Sequence, residues 1–184
     1  MISFSFPYSH ALRALIVCIF LLIATSSAHA AVCNPTLLKR ADAGDVNMQS
    51  YVAHLYASGK EINRDFKEAR YWYRRVINHQ KADAKIVAHA HLLLGLMYNN
   101  GKGGEQDYAA AMKCFLVAAG QGYFDAHISI GHLYARGLGV KQNYQKALYW
   151  WELAVSKGHP NAPNLVFLLQ QEIAANHYVT QQKG

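Results

Sequence analysis

LGLMYNNGKGGEQDYAAAMKCFLVAAGQG (residues 94–122) and IGHLYARGLGVKQNYQKALYWWELAVSKG (130–158) agree at one fixed set of offsets. A third stretch, VAHLYASGKEINRDFKEARYWYRRVINHQ (52–80), follows the same pattern less closely. Counted from Tyr56, Tyr98 and Tyr134, a glycine comes three residues on (Gly59, Gly101, Gly137) and an aromatic ten residues on (Phe66, Tyr108, Tyr144). Asp65, Asp107 or Asn143 precedes that aromatic, and Ala69, Ala111 or Ala147 stands three places after it. Bulky pairs follow at matched positions: Trp72-Tyr73, Cys114-Phe115 and Trp150-Trp151. The units start 42 and 36 residues apart, so about six extra residues fall around Gln80 to Lys85. Self-similarity at such a period marks stacked supersecondary units, none of which can bury its apolar face alone.

Each unit reads as a pair of helices. Ala90, Leu94, Gly95 and Tyr98 recur as Ala126, Ile130, Gly131 and Tyr134, and in the first unit as Met48, Val52, Ala53 and Tyr56. Steps of four, one and three residues keep these positions on one side of a 3.6-residue helix. The small residue at 53, 95 and 131 lets the second helix come close, and the turn glycines supply the backbone freedom to reverse the chain. Asp65, Asp107 and Asn143 are good N-caps for the second helices, and Asp65 with Glu68 has the spacing of a capping box. Gly122 and Gly158 close two of these helices. Asn34-Pro35 opens, and Gly44 ends, a short leading helix over 36–43. Ala162, Val166 and Phe167 repeat the inward positions of a first helix, which predicts a final half-unit over about 161–176 that caps the array.

The beginning of the chain is of another kind. Met1 to Arg13 carries one Arg and no acid, residues 14–24 (ALIVCIFLLIA) are uninterrupted apolar chain, and Ala28-His29-Ala30 has the small-x-small form of a cleavage site. Eleven apolar residues rise only about 16 Å as a helix, against a hydrocarbon core of about 30 Å. A cleavable signal peptide over 1–30 is therefore expected, with the protein exported to the periplasm or secreted and no integral membrane segment after cleavage. Removing that segment takes away one positive charge, so the remainder carries +6 rather than +7. Basic residues crowd 60–85, and Lys67, Arg70 and Arg74 share a helical face, as a positive stripe or a solvated outer face. Export and positive charge together favour an acidic protein surface or an anionic envelope polymer over nucleic acid.

Chemistry-bearing patterns are sparse. No HExxH, CxxC or phosphate loop occurs. His89 and His91 are two apart and point to different faces, while His54 and His132 sit two units apart, far beyond a shared metal with bonds of about 2.0–2.1 Å. The acids fall mostly at helix caps, where backbone N–H groups already hold them. No catalytic residue, cofactor or metal is therefore expected. The aromatic set Tyr98, Tyr134, Trp72, Tyr73, Trp150 and Trp151 occupies helix–helix positions and reads as core. Cys33 and Cys114 should lie on the order of 20 Å apart, against a Cα limit of about 7 Å for a disulfide, so no bridge between them is expected and Cys114 should be buried.

The quoted strings resemble Sel1-like repeats, relatives of the tetratricopeptide repeat, over about residues 36–170. The resemblance implies an all-α, right-handed superhelix (solenoid) of antiparallel helix pairs: a leading helix over 31–44, repeats over 45–85, 86–122 and 123–158, and a capping helix and tail over 159–184. It also implies an adaptor that holds a protein partner on a concave face lined by the first helices. Carried over by position, that face takes Asn47, Ser50 and His54; His89, Leu92, Leu96, Asn99 and Asn100; Asp125, Ile128, His132 and Arg136; and Asn164 and Leu168. The competing expectation is a cell-wall-associated enzyme or inhibitor of the peptidoglycan or penicillin-binding type, against which stands the absence of paired cysteines in each repeat.

Overall fold

The structure, a computed structural model, describes residues 35–181, with the side chains of 36–176. The expected signal peptide, Cys33 and the Asn34 cap lie outside these residues. The described chain is all-α: eight helices and no strand. They are α1 (Pro35–Asp42), α2 (Val46–Ser58), α3 (Phe66–Ile77), α4 (Ala84–Asn99), α5 (Tyr108–Gly120), α6 (Phe124–Arg136), α7 (Tyr144–Ser156) and α8 (Ala162–Gln181). The chain divides into two compact units between Ala90 and His91, inside α4.

In the first unit α1 packs on α2 and α2 on α3. Leu38, Ala41, Val52, Ala53, Leu55, Ala69, Trp72, Tyr73 and Val76 form its buried interior. Polar bonds tie α1 in place: Gln49 Nε2 donates to Ala41 O at 2.9 Å, and Arg75 reaches the carboxylate and the carbonyl of Asp42, each at 2.9 Å. The Arg75 guanidinium also lies 5.1 Å from the centre of the Trp72 ring. The second unit is built from the later part of α4 with α5 to α8. Leu92, Ala111, Met112, Phe115, Ala118, Ala126, Ile130 and Leu133 make one core, and Ala147, Trp151 and Leu169 a second.

The repeat offsets return as one bonding scheme. Asp65, Asp107 and Asn143 each accept a backbone N–H from the first turn of the helix they open. Their own N–H groups donate to the carbonyls of Tyr56, Tyr98 and Tyr134 at 2.9–3.0 Å, so the tyrosine at the end of each first helix anchors the start of the second. The Glu68 N–H donates to the Asp65 carboxylate at 3.1 Å, as the expected capping box requires, and the Asp65 N–H donates to the Tyr56 carbonyl. Gly59, Gly101 and Gly137 all take positive φ, 63–67°, where a Cβ is opposed.

Other expectations shift by context. Arg70 is buried, so Lys67 and Arg74 do not continue through it as a surface stripe. Tyr98, Tyr134 and Trp150 are half-buried at the edge of the core, while Trp72, Tyr73 and Trp151 are inside it. Cys114 is buried, as expected. Phe167, expected inward, is 59% exposed. Its position faces a following second helix in the earlier units, and no such helix covers α8 among the described residues.

Candidate functional site

Two first-type helices, α6 and α8, flank α7 and leave an open cavity of about 460 Å³ between them. α6 supplies His132, Ala135 and Arg136, α8 supplies Leu165, Leu168, Leu169 and Glu172, and Gln142 with Tyr144 and Trp151 of α7 complete the lining. The spacing is helical arithmetic. His132 and Arg136 are four apart, as are Leu165, Leu169 and, three on, Glu172, so each set projects from one side of its helix. α6 and α7 run antiparallel at close range, because Gly131 leaves room for the Trp151 indole. Trp151 Nε1 donates to Ile128 O at 3.1 Å, which fixes the ring. The His132 ring then stands edge-on to it, with centres 5.1 Å apart.

The polar groups fall into committed and uncommitted ones. Tyr144 donates its hydroxyl to Glu172 Oε1 at 2.6 Å, and this bond first, then burial, holds the phenol above its ordinary pKa. Gln142 Nε2 donates to Ala135 O at 2.8 Å and to the Tyr144 hydroxyl at 3.3 Å. Arg136, by contrast, is exposed and has no carboxylate partner among the described residues. Its five N–H donors suit a planar carboxylate. Burial, and then the Arg136 charge, push His132 below its ordinary pKa, so the imidazole is neutral at pH 7. The cavity thus offers an apolar wall, one accessible cation and one hydroxyl-bound carboxylate.

The lowered His132 value has a thermodynamic consequence. The unfolded chain takes up the proton near pH 6.5, before the folded one does. Stability is therefore whole above that value and falls as pH drops through about 6.5 toward the lower folded value. His91, lowered by burial, acts in the same direction. Melting temperatures between pH 7.5 and pH 5 should decline less in His132→Asn than in the parent protein. Equal slopes would remove His132 from this account.

The expected partner-face residues divide. His132, Arg136 and Leu168 meet at the cavity. Asn47 and His54 are exposed and Ser50 half-buried on α2, and His89 is exposed on α4, all in the first unit. In the second unit Leu96 and Asn100 are exposed and Asn99 is half-buried, with its amide bonded to Asn100 at 3.2 Å. Asp125 is engaged by His159 Nε2 at 3.3 Å, Ile128 is half-buried against the Trp151 cluster, and Asn164 is exposed on α8. Leu92 is a correction: it is 6% exposed within the Phe115 core and offers no surface to a partner.

Gln142, Tyr144, Leu165 and Glu172 were not anticipated. A signal for Gln142 was present, since Arg64, Gln106 and Gln142 share one offset. Each donates to a carbonyl at the end of a first helix: Ser58 at 3.0 Å, Asn99 at 2.6 Å and Ala135 at 2.8 Å. No group of three His, Cys, Asp or Glu positioned for a metal occurs among the described residues. No helix there is long and apolar enough to cross a membrane.

The Sel1 repeat pattern matches residues 47–78, 88–123 and 125–159. A Sel1 repeat protein from Oxalobacter formigenes is similar in structure, with a TM-score of 0.58 and 27% identity, over 71% of this chain and 94% of that one. A protective antigen of uropathogenic Escherichia coli strains displaying an SLR fold is similar in fold, with a TM-score of 0.61 and 24% identity, over 81% of this chain and 31% of that one. No curated protein sequence matches significantly. Three matched repeats, the shared offsets and paired helices closed by the same bonds place this chain in the Sel1 repeat family.

Proposed function

We propose that this protein is a non-catalytic adaptor that holds a protein partner on the surface of its first helices, with the cavity between α6 and α8 as its anchor. Sel1 repeat proteins typically mediate protein–protein interactions, which supplies the general expectation. One observation carries the particular reading: His132, Arg136 and Leu168, assigned to a partner face by repeat position, line a single open cavity from two different helices. An apolar wall beside an uncompensated guanidinium suits a partner segment with an apolar side chain next to an acidic one. Lys60, Arg64, Lys67 and Arg74, all exposed, add positive charge in the first unit and support an acidic partner. Residues 1–30 support a place in the cell envelope or the secreted space.

Affinity capture with cross-linking from the native envelope tests the reading, comparing the parent protein with Arg136→Glu/Leu168→Asp. Both side chains are exposed, so the double variant should keep its melting temperature within a few degrees. Recovery of the cross-linked partner should fall at least about tenfold, the equivalent of about 1.4 kcal/mol. Undiminished recovery would move the partner off this cavity. Turnover of peptidoglycan fragments by the purified protein would replace the adaptor reading altogether. Intact mass of the captured chain, beginning at Ala31, checks export and cleavage in the same preparation.

A further inference from the structure

Two opposite charges line the cavity between α6 and α8 without meeting. Arg136 ends α6 and Glu172 projects from α8, both are exposed, and no ion pair joins them among the described residues. The Tyr144 hydroxyl, bonded to Glu172 Oε1 at 2.6 Å, ties that carboxylate to the start of α7 instead. Its other oxygen, Oε2, stays available as an acceptor. The same cavity has an aliphatic wall of Leu165, Leu168 and Leu169, of which Leu168 is 62% exposed.

A ligand that satisfies this lining brings an anion for the guanidinium, an N–H donor for the carboxylate and an aliphatic side chain. All three must fit within about 460 Å³, a volume that suits a small ligand or the tip of a chain rather than a long segment. In an extended segment neighbouring side chains point to opposite faces. An internal acidic residue and the aliphatic one beside it therefore cannot both turn into one cavity. The last residue of a chain escapes that constraint, because its carboxylate, its N–H and its side chain all branch from one Cα. A guanidinium meets a planar carboxylate through two parallel N–H bonds, and the neutral His132 adds one ring N–H. Glu172 accepts the N–H of the terminal residue and repels a second negative charge, which favours an aliphatic terminal side chain over an acidic one.

We infer that the cavity recognises the C-terminal residue of the partner chain, an aliphatic one, with its carboxylate on Arg136, its N–H on Glu172 and its side chain against Leu168. The inference rests on the adaptor reading and sharpens it: the acidic group taken up by the cavity is the end of a chain rather than a side chain.

NMR titration of the isotope-labelled purified protein with three short peptides tests it. One ends in alanyl-leucine with a free carboxylate, the second is the same peptide amidated at its C-terminus, and the third is amidated and carries glutamate beside leucine internally. The free acid should shift the signals of residues 132–136 and 165–172 in a saturable way. The amidated form should bind at least about tenfold more weakly, as expected for the loss of a charge-assisted contact. Arg136→Gln should erase the difference between the two. A terminal aspartate in place of leucine should weaken binding, and Glu172→Gln, which keeps an acceptor for Tyr144, should recover part of the loss. Equal affinity for acid and amide, no saturable binding of the free acid, or a preference for the acid that survives Arg136→Gln would overturn the inference. Arg136-dependent binding of the internal-glutamate peptide alone would overturn it and leave the adaptor reading standing. Undiminished recovery of the native partner by Arg136→Glu/Leu168→Asp would remove the cavity from both.

Discussion

Phe115→Ala is expected to lower the unfolding free energy by about 3–5 kcal/mol, the range for emptying a large buried aromatic site. Phe115 is fully buried on α5, among Leu92, Ala118, Ala126, Ile130 and Leu133. Its ring also fills the space left by Gly95, where an added Cβ would come within 2.7 Å of the ring carbon Cε1. The site cannot collapse easily, because its neighbours are held on three separate helices. Leu116, the next residue, is 45% exposed. Leu116→Ala should change stability by no more than about 0.5 kcal/mol. Urea unfolding of the two variants makes the comparison, and similar costs for both would place Phe115 outside the core.

Gly131→Ala should destabilise by about 2 kcal/mol, although alanine is the better helix former by about 1 kcal/mol. A Cβ at this position would overlap the Trp151 ring atoms Nε1 and Cδ1 and stand 2.8 Å from Cε2. The indole is rigid and must move as a whole, which breaks its bond to Ile128 O and loosens the His132 edge contact. Gly120→Ala is the control. No atom lies within 4 Å of a Cβ there, and the change should be neutral or stabilising by about 0.4–1 kcal/mol. A Gly131→Ala protein as stable as its parent would show that the helices do not need this close approach. Unit one is the natural comparison: Ala53 holds the equivalent place, fully buried, so α3 accommodates a Cβ that α7 does not.

The two tests also bear on the cavity. Trp151 is both the residue that seals α7 against α6 and part of the cavity lining. Displacing it should weaken partner capture even where the fold survives. A variant that keeps its melting temperature but loses its partner points to Arg136 and Leu168, whereas loss of both points to Trp151.

How much of this was legible beforehand varies residue by residue. The helix pairs, the N-caps at Asp65, Asp107 and Asn143, and the turn glycines could be read because they depend on local geometry repeated at fixed offsets. Burial of Trp72, Tyr73 and Trp151 followed from the same register. Leu92 was misplaced because a residue on the edge of a helical face faces core or solvent according to which neighbour packs there. Arg70 was misread for a related reason: helical phase gives its direction from α3, but not what lies in that direction. Glu172 and Tyr144 are 28 residues apart, on helices of different units of the repeat, and no local rule pairs them.

Sequence alone determined the period, the succession of first and second helices, and the membership that those repeats imply, since each is set by side chains within a few turns of one another. Tertiary structure decided which exposed positions share a surface. His132, Arg136 and Leu168 meet at one cavity because α7 holds α6 and α8 at the distance allowed by Gly131 and Trp151. Phe167 lies in the open because no following helix covers it among the described residues. Convergence of distant side chains depends on interhelical packing, a property of the whole assembly of contacts rather than of any one stretch of chain.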